Sequence, residues 1–583
     1  MTEHKSPIQK ESRKKLNIAE HKKVIIGGGL VIAVAITGLI IGISIFQQDQ
    51  DEEIVLTIPM TVGLNFLDTV QYYMPQSESA FVINQIAEGL IDYKVTDEGT
   101  EFIPNLALNW TWSPDGMELT CNLRRDVQFH DRTPFNASAV KWNFDRINRT
   151  IEYAYYPYMW FHSDLTHIIN ETVVLDDYII KFILNRPYVP FEALLANSMA
   201  YILSPSSTPA NEFVDLEAGL VGTGPFMYKS SSRIYDPLIP DHFKFINFNT
   251  TLVANSEYWG GEPKFDKLFL PVISNGTIRK EKMLSGEIDL NSLWTEEPET
   301  YTSVSGFRIE PIISQDIWYI TMNNSYINTT MRKAISWALD YDQLLTIVEP
   351  DYEWGVTRCR SPLSKGQLYS NWTAFEVPTL NITKARQALL DANWPGTSGL
   401  TADNNVSAGN EWEVIANSAT PLASYNISYP ISSLKREAIA NVFHKNLTQI
   451  GISVEPLGVT WPEYWFDNPI SQFYLTGWAP DINDPRDSIN PLFSCKEDGH
   501  SNWNYVNDTQ LQQWMEEAQV ETNRTARERL YYQIQERLIE EVYPVIWYFT
   551  PQYAMVHPDY LSDIDYLTFP YKFLVKDLYF IPV

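Results

Sequence analysis

Cysteine and histidine are scarce in this chain, with three and nine among 583 residues. Cys121, Cys359 and Cys495 show no metal-site spacing, and no His-x-x-x-His pair occurs, so no metal centre built on these residue types is expected. Basic residues are also in short supply. The 43 Lys and Arg face 72 Asp and Glu, a formal net charge of −29, which excludes nucleic acid as a partner of the acidic body. Serine elbows, zinc-protease motifs and phosphate-binding loops are missing. The carboxylate pairs Glu296-Glu297 and Glu540-Glu541 are sequence neighbours, which do not face each other across a cleft as glycoside hydrolysis requires. An enzyme is therefore not expected, and no cofactor is.

Long hydrophobic runs are missing too, with one exception. Val24 to Phe46 are uncharged and mostly apolar, enough for about 34 Å of helix and one bilayer crossing. Lys5, Lys10, Arg13, Lys14, Lys15, Lys22 and Lys23 precede this run, and Asp49, Asp51, Glu52 and Glu53 follow it. The positive-inside rule then places residues 1–23 in the cytoplasm as a basic arm, makes 24–46 a signal anchor in the lipid bilayer, and puts everything after the 47–53 spacer outside. Gly27-Gly28-Gly29 lies inside the run and reads as helix-packing glycine. No cysteine flanks the run, which excludes the usual lipid-anchored lipoprotein. The reading is a single-pass protein of the cell membrane with an extracellular body.

Asn-x-Ser/Thr occurs fifteen times, beginning at Asn109 and ending at Asn523, and never in the basic arm. That is about three times the chance number, as a glycosylated exterior predicts, although any single case is weak.

The length exceeds the roughly 250–300 residues at which single cores divide, so two or three lobes are expected. Ile54 to Ile58 reads as a first strand and Ser79 to Gly89 as a helix. Ser113-Pro114-Asp115-Gly116 reads as a turn, Glu118 to Leu123 as an alternating strand, Val127-Gln128-Phe129 as the end of a second strand, and Asn136 as a helix entry. Met331 to Asp340 has helical apolar spacing.

Strings in a fixed order carry more. They include Gly63 to Asp68, Glu88-Gly89-Leu90, the segment 106–140, Gly222-Thr223-Gly224-Pro225-Phe226, Tyr258-Trp259-Gly260-Gly261-Glu262-Pro263, Met283 to Asp289 and Met331 to Asp340. Together they resemble family 5 extracellular solute-binding proteins, the class that delivers peptides, nickel or oligosaccharides to ABC importers. Each string alone has a plain structural use as a turn or packing glycine.

The resemblance implies an α/β, two-lobed periplasmic-binding-protein-like fold with an inserted subdomain and a hinge. It places lobe I at 54–95, the insertion at 96–215, a return to lobe I at 216–312, lobe II at 313–548 and a last return at 549–583. It also implies a monomer that captures a peptide and docks on the permease subunits of an ABC transporter. An oligosaccharide ligand, stacked on some of the 18 Trp and 33 Tyr, stays open, as do nickel and, in other classes, an adhesin on this fold or an extracellular hydrolase. A glycosylated, anchored receptor suits an archaeal surface.

In the peptide-binding members a segment similar to Gly477-Trp478-Ala479-Pro480-Asp481-Ile482-Asn483-Asp484-Pro485 supplies an aspartate for the peptide's α-ammonium, which points to Asp481, with Gly477, Trp478 and Ala479 beside it. Structural uses stand next to this reading: aspartates beside proline commonly cap turns, as Asp484 is read to do, and Trp478 serves equally as core. Two departures from the family pattern stand out. Arg132 occupies a position usually held by glycine, and no second cysteine follows Cys495. With Cys121 assigned to the core, Cys359 and Cys495 become the candidate disulfide.

Overall fold

A computed structural model describes residues 53–581 apart from 62, 65, 72–77, 97–98, 151–167, 217, 234–247, 294–300, 302–303, 313, 349–355, 404–409, 461–463, 465–470, 497–500 and 563–573. The basic arm, the apolar run 24–46 and Glu296-Glu297 lie outside these residues. Among the described residues no helix is long and apolar enough to cross a membrane.

Two large sheets carry the architecture. The first contains Val55–Thr57, Lys267–Leu270, Phe248–Ala254 and Phe226–Arg233 in that spatial order, parallel at the first junction and antiparallel after it. The second has six strands, ordered Val356–Arg358, Val545–Pro551, Ile317–Thr321, Phe473–Trp478, Ala423–Pro430 and Ile452–Val459. Alternation along its strands explains why both faces are covered. Ile317, Tyr319, Val545 and Trp547 face one apolar core, while Ile320, Ile546 and Tyr548 face another. A further three-stranded antiparallel sheet is made of Asn291–Leu293, Tyr553–Pro558 and Phe307–Ile312.

Among the described residues the chain passes between the two halves at two places. Ser314 to Asp316 lead from Phe307–Ile312 into Ile317–Thr321, and Gln552 alone separates Val545–Pro551 from Tyr553–Pro558. Connections this short permit rotation of one half against the other without unfolding either.

A separate four-stranded antiparallel sheet of Ala107–Trp112, Glu118–Leu123, Ile179–Leu184 and Ile169–Asp176 lies within residues 96–215. Its inward residues Leu119, Cys121, Ile180 and Phe182 join one continuous core with Leu56, Ile86 and Leu268, so this stretch has its own sheet but shares its core with the chain around it. The strand read from Glu118 to Leu123 forms over those residues, and Asn136 caps the helix Ala137–Thr150 by accepting from the Ala139 N–H at 2.9 Å. The expected strand through Val127-Gln128-Phe129 does not form. Only an isolated bridge joins Gln128 to Pro134, and Phe129 N–H donates to Thr133 O at 2.9 Å, closing a tight loop. Arg132 sits in that loop at φ 67°, so it takes the left-handed conformation that glycine adopts at lower cost, and the turn survives the substitution.

Three of the resemblance strings meet at one buried carboxyl. Glu88, 3% exposed, accepts hydrogen bonds from Thr223 Oγ1 at 2.8 Å, Tyr258 OH at 2.7 Å and Trp259 Nε1 at 2.9 Å. Asp68, from the first string, is also structural: it pairs with Arg146, both fully buried, and accepts from the Val214 and Val70 N–H groups. Burial raises the Glu88 pKa to about 7 despite the three donors, which lower it, with Asp92 adding to the rise. A carboxyl held above its unfolded value favours folding fully below about pH 4.5, and that contribution is lost as pH rises through 7. Urea unfolding of the wild-type chain is thus expected to show a stability decline between those pH values. Glu88→Gln is expected to flatten that decline while lowering stability near pH 5 by about 1–3 kcal/mol, because an amide cannot accept from all three donors.

All three cysteines are free, which corrects the expected Cys359–Cys495 bridge. Cys359 is buried with Sγ toward Ser361 O at 3.4 Å, and Cys495 is exposed with Sγ 3.6 Å from Gln512 Oε1, so each thiol has its own local partner. Cys121 is fully buried, as the alternating strand required. A thiol reagent is expected to modify one cysteine in the folded protein and three after denaturation. A single reactive thiol in the denatured, unreduced chain would restore the disulfide.

Candidate functional site

The strand Phe473–Trp478 lies in the interior of the six-stranded sheet, antiparallel to Ile317–Thr321 and parallel to Ala423–Pro430. Trp318 pairs with Gly477 in register, and a Cβ at Gly477 would sit 2.9 Å from the Trp318 indole. Glycine is needed there because the Trp318 ring, stacked on Phe549, already occupies the space. Gly477, Trp478 and Ala479 therefore reach the edge of the sheet half-buried, where the chain bends into the segment containing Asp481.

Three anchors hold this loop. Asp487 Oδ2 accepts from the Asp481 N–H and, at 3.3 Å, from the Ile482 N–H, while Asp487 O accepts from Trp478 Nε1 at 2.7 Å. Asp484 caps the helix Pro485–Phe493 by accepting from the Arg486 N–H, as its place beside proline suggested. Its carboxylate also takes two bonds from Arg527, at 2.8 and 2.9 Å, with both side chains 2% exposed. Finally, Ile482 enters the core of the other half of the molecule.

That last contact places the loop in the seam between the lobes. Asn197 Nδ2, from the half of the chain before the first crossing, donates to Asp481 O at 2.5 Å, and the seam is also closed by Val189 N–H to Gln519 O at 2.9 Å and Thr100 Oγ1 to Gly366 O at 3.1 Å. Both connecting segments border the same region. Gln315 Nε2 donates to Asn483 Oδ1 at 2.9 Å, and Asp316 accepts from Tyr553 OH at 2.5 Å. Burial raises the Asp316 pKa to about 6 against the opposing effect of that hydroxyl.

Asp481 stands apart electrostatically. Burial first, and the neighbouring Asp487 carboxylate second, push its pKa well above the ordinary carboxylate range. Among the described residues its carboxyl has neither a cation nor a hydrogen-bond donor facing it, whereas Asp68 and Asp484 each have an arginine. The described residues contain no group of three or more His, Cys, Asp or Glu side chains arranged to hold a metal ion.

A family model described as bacterial extracellular solute-binding proteins, family 5 middle, matches residues 101–500. The chain belongs to the family 5 extracellular solute-binding proteins. Among this solute-binding protein's relatives, the probable D,D-dipeptide-binding periplasmic protein of Escherichia coli (strain K12) is 25% identical over 465 residues, covering 78% of this chain and 80% of that one. Heme-binding protein A of Haemophilus influenzae is 25% identical over 479 residues, covering 77% and 79%. In structure, the periplasmic binding protein DppA from Helicobacter pylori in complex with the peptide STSA superposes with a TM-score of 0.65 at 21% identity, over 91% of this chain and 98% of that one. The family 5 protein is thus a transport binding protein and not an enzyme, on a two-lobed fold.

Sequence reasoning missed Asn197, Gln315 and Arg527, because their partners lie 284, 168 and 43 residues away and no local pattern marks them. Asp487 left a readable trace, since an acidic residue three positions after a helix cap is the spacing of a capping box.

Proposed function

We propose that this protein captures short peptides by their free amino terminus, with Asp481 as the partner of the α-ammonium, and presents the closed, loaded form to an ABC permease. The observation that carries this reading is the unneutralised carboxyl of Asp481 in the seam between lobes. Asp481 is half-buried, and a partly desolvated carboxylate without a counter-ion is costly, a cost that an ammonium delivered by a ligand offsets for both groups. The dipeptide-binding relative and the peptide-bound structural neighbour support the same class of ligand.

Closure follows as a population shift. A ligand that touches both the Asp481 loop and the Asn197 side of the seam favours the state in which they meet. Residues 24–46 tether the binding body outside the membrane, which raises its effective concentration at the permease. The acidic body draws cationic ligands toward it, and glycans on exposed sequons suit that location.

Thermal unfolding of the full chain with pools of peptides, oligosaccharides or nickel tests the class, because a ligand that binds only the folded state raises the melting temperature. Peptides alone are expected to raise it. A shift with sugars or nickel and none with peptides would replace this reading.

A further inference from the structure

We propose that Gln315 and Asn483 read the first peptide bond of the ligand, next to the ammonium subsite at Asp481; this rests on the peptide-capture reading above. Gln315 is 1% exposed and Asn483 3% exposed, and their mutual hydrogen bond uses one polar atom of each amide. The remaining two, Gln315 Oε1 and Asn483 Nδ2, are buried with no partner among the described residues. Turning both amides over exchanges the roles and leaves the same complement, one acceptor and one donor. A buried polar atom left unmade costs about 1–3 kcal/mol, so an adjacent orphaned donor and acceptor mark a place built for something that brings both.

A peptide bond brings both, its C=O for the donor and its N–H for the acceptor. Asn483 lies two residues beyond Asp481, at most about 7 Å of backbone away, so a ligand whose ammonium meets Asp481 has its first amide within reach of the pair. Gln315 belongs to the segment connecting the lobes, whereas Asn483 belongs to the second lobe's loop. A ligand amide held by both satisfies two buried atoms at the junction about which the lobes close. Selectivity for an amide follows, because a site that hydrogen-bonds an N–H discriminates strongly against a ligand lacking it.

Calorimetry of the full chain with alanyl-alanine, its N-acetylated form and the ester isostere in which oxygen replaces the amide nitrogen tests this. The wild-type protein is expected to bind the amide at least about 10-fold tighter than the ester, a difference of about 1.4 kcal/mol. In Gln315→Ala/Asn483→Ala that preference is expected to collapse to near unity. Asn483→Asp, which keeps the shape and trades the donor for an acceptor, is expected to weaken amide and ester alike by about 10-fold and serves if the double variant does not fold. Equal binding of amide and ester by the wild-type protein, with the N-acetyl form still rejected, would overturn this inference and leave the ammonium reading standing, the buried atoms then serving a water molecule. Equal binding of the free and N-acetylated peptides would overturn both.

Discussion

Asp481→Ala is expected to weaken peptide binding at least about 100-fold while leaving the unliganded protein as stable as before, or slightly more so. The magnitude follows from removing one member of a desolvated charge pair, which costs about 2–5 kcal/mol of binding because the ligand's ammonium is then buried alone. The sparing of stability follows from the free protein, where this carboxyl faces no cation among the described residues and is disfavoured by desolvation and by Asp487. Its raised pKa fixes the sign of the pH effect. On acidification Asp481 takes up a proton at a pH above the ordinary carboxylate range, so affinity is expected to fall with falling pH earlier than for an exposed aspartate, and this decline is expected to vanish in Asp481→Asn. Above about pH 8 the ligand's own amine deprotonates and affinity falls again. Titration calorimetry across pH with matched denaturant unfolding reads all three. A large loss of unliganded stability together with unchanged affinity would make Asp481 a turn residue.

Arg527→Met is expected to destabilise the protein by about 3–5 kcal/mol, the cost of leaving one member of a buried pair uncompensated. Arg527 also donates from Nε to Ala518 O at 2.8 Å, so the substitution frees a second buried acceptor. Asp484 is at once the cap of Pro485–Phe493 and the partner of Arg527, and the Asp481 loop hangs between this cap and the strand Phe473–Trp478. Loss of the pair is therefore expected to lower peptide affinity as well, by misplacing Asp481. Urea unfolding with an unchanged slope and a lower midpoint would register the stability loss. A change under about 1 kcal/mol would mean that water reaches the pair and screens it.

Local patterns in the sequence carried the elements that depend on local physics. The alternation from Glu118 to Leu123 and the cap at Asn136 both appear where they were read, and so does the turn at Ser113 to Gly116, closed by Gly116 N–H to Ser113 O at 2.9 Å. Where long-range geometry decides, the patterns failed. Val127 to Phe129 has strand-forming residues, yet bridges across a loop of a few residues instead of extending. The Asn-x-Ser/Thr excess has a partly structural origin. Asn136, Asn275, Asn328, Asn381 and Asn523 each cap a helix through their side-chain oxygen, so an asparagine cap followed two positions later by a hydroxyl residue makes a sequon with no reference to sugar. The candidate site was half legible. Gly477 to Asp484 stood out as a motif, whereas the partners that make Asp481 unusual, Asn197 across the seam and the Gln315–Asn483 pair, become neighbours only through the fold.

A ligand's ammonium is expected to complete the half-buried carboxyl of Asp481. Titration calorimetry of the full chain with a pool of free dipeptides and the same pool N-acetylated tests it most directly, since acetylation removes the positive charge and little else. Free peptides are expected to bind measurably and the acetylated ones at least about 100-fold more weakly. Equal affinity for the two pools would contradict this role of Asp481.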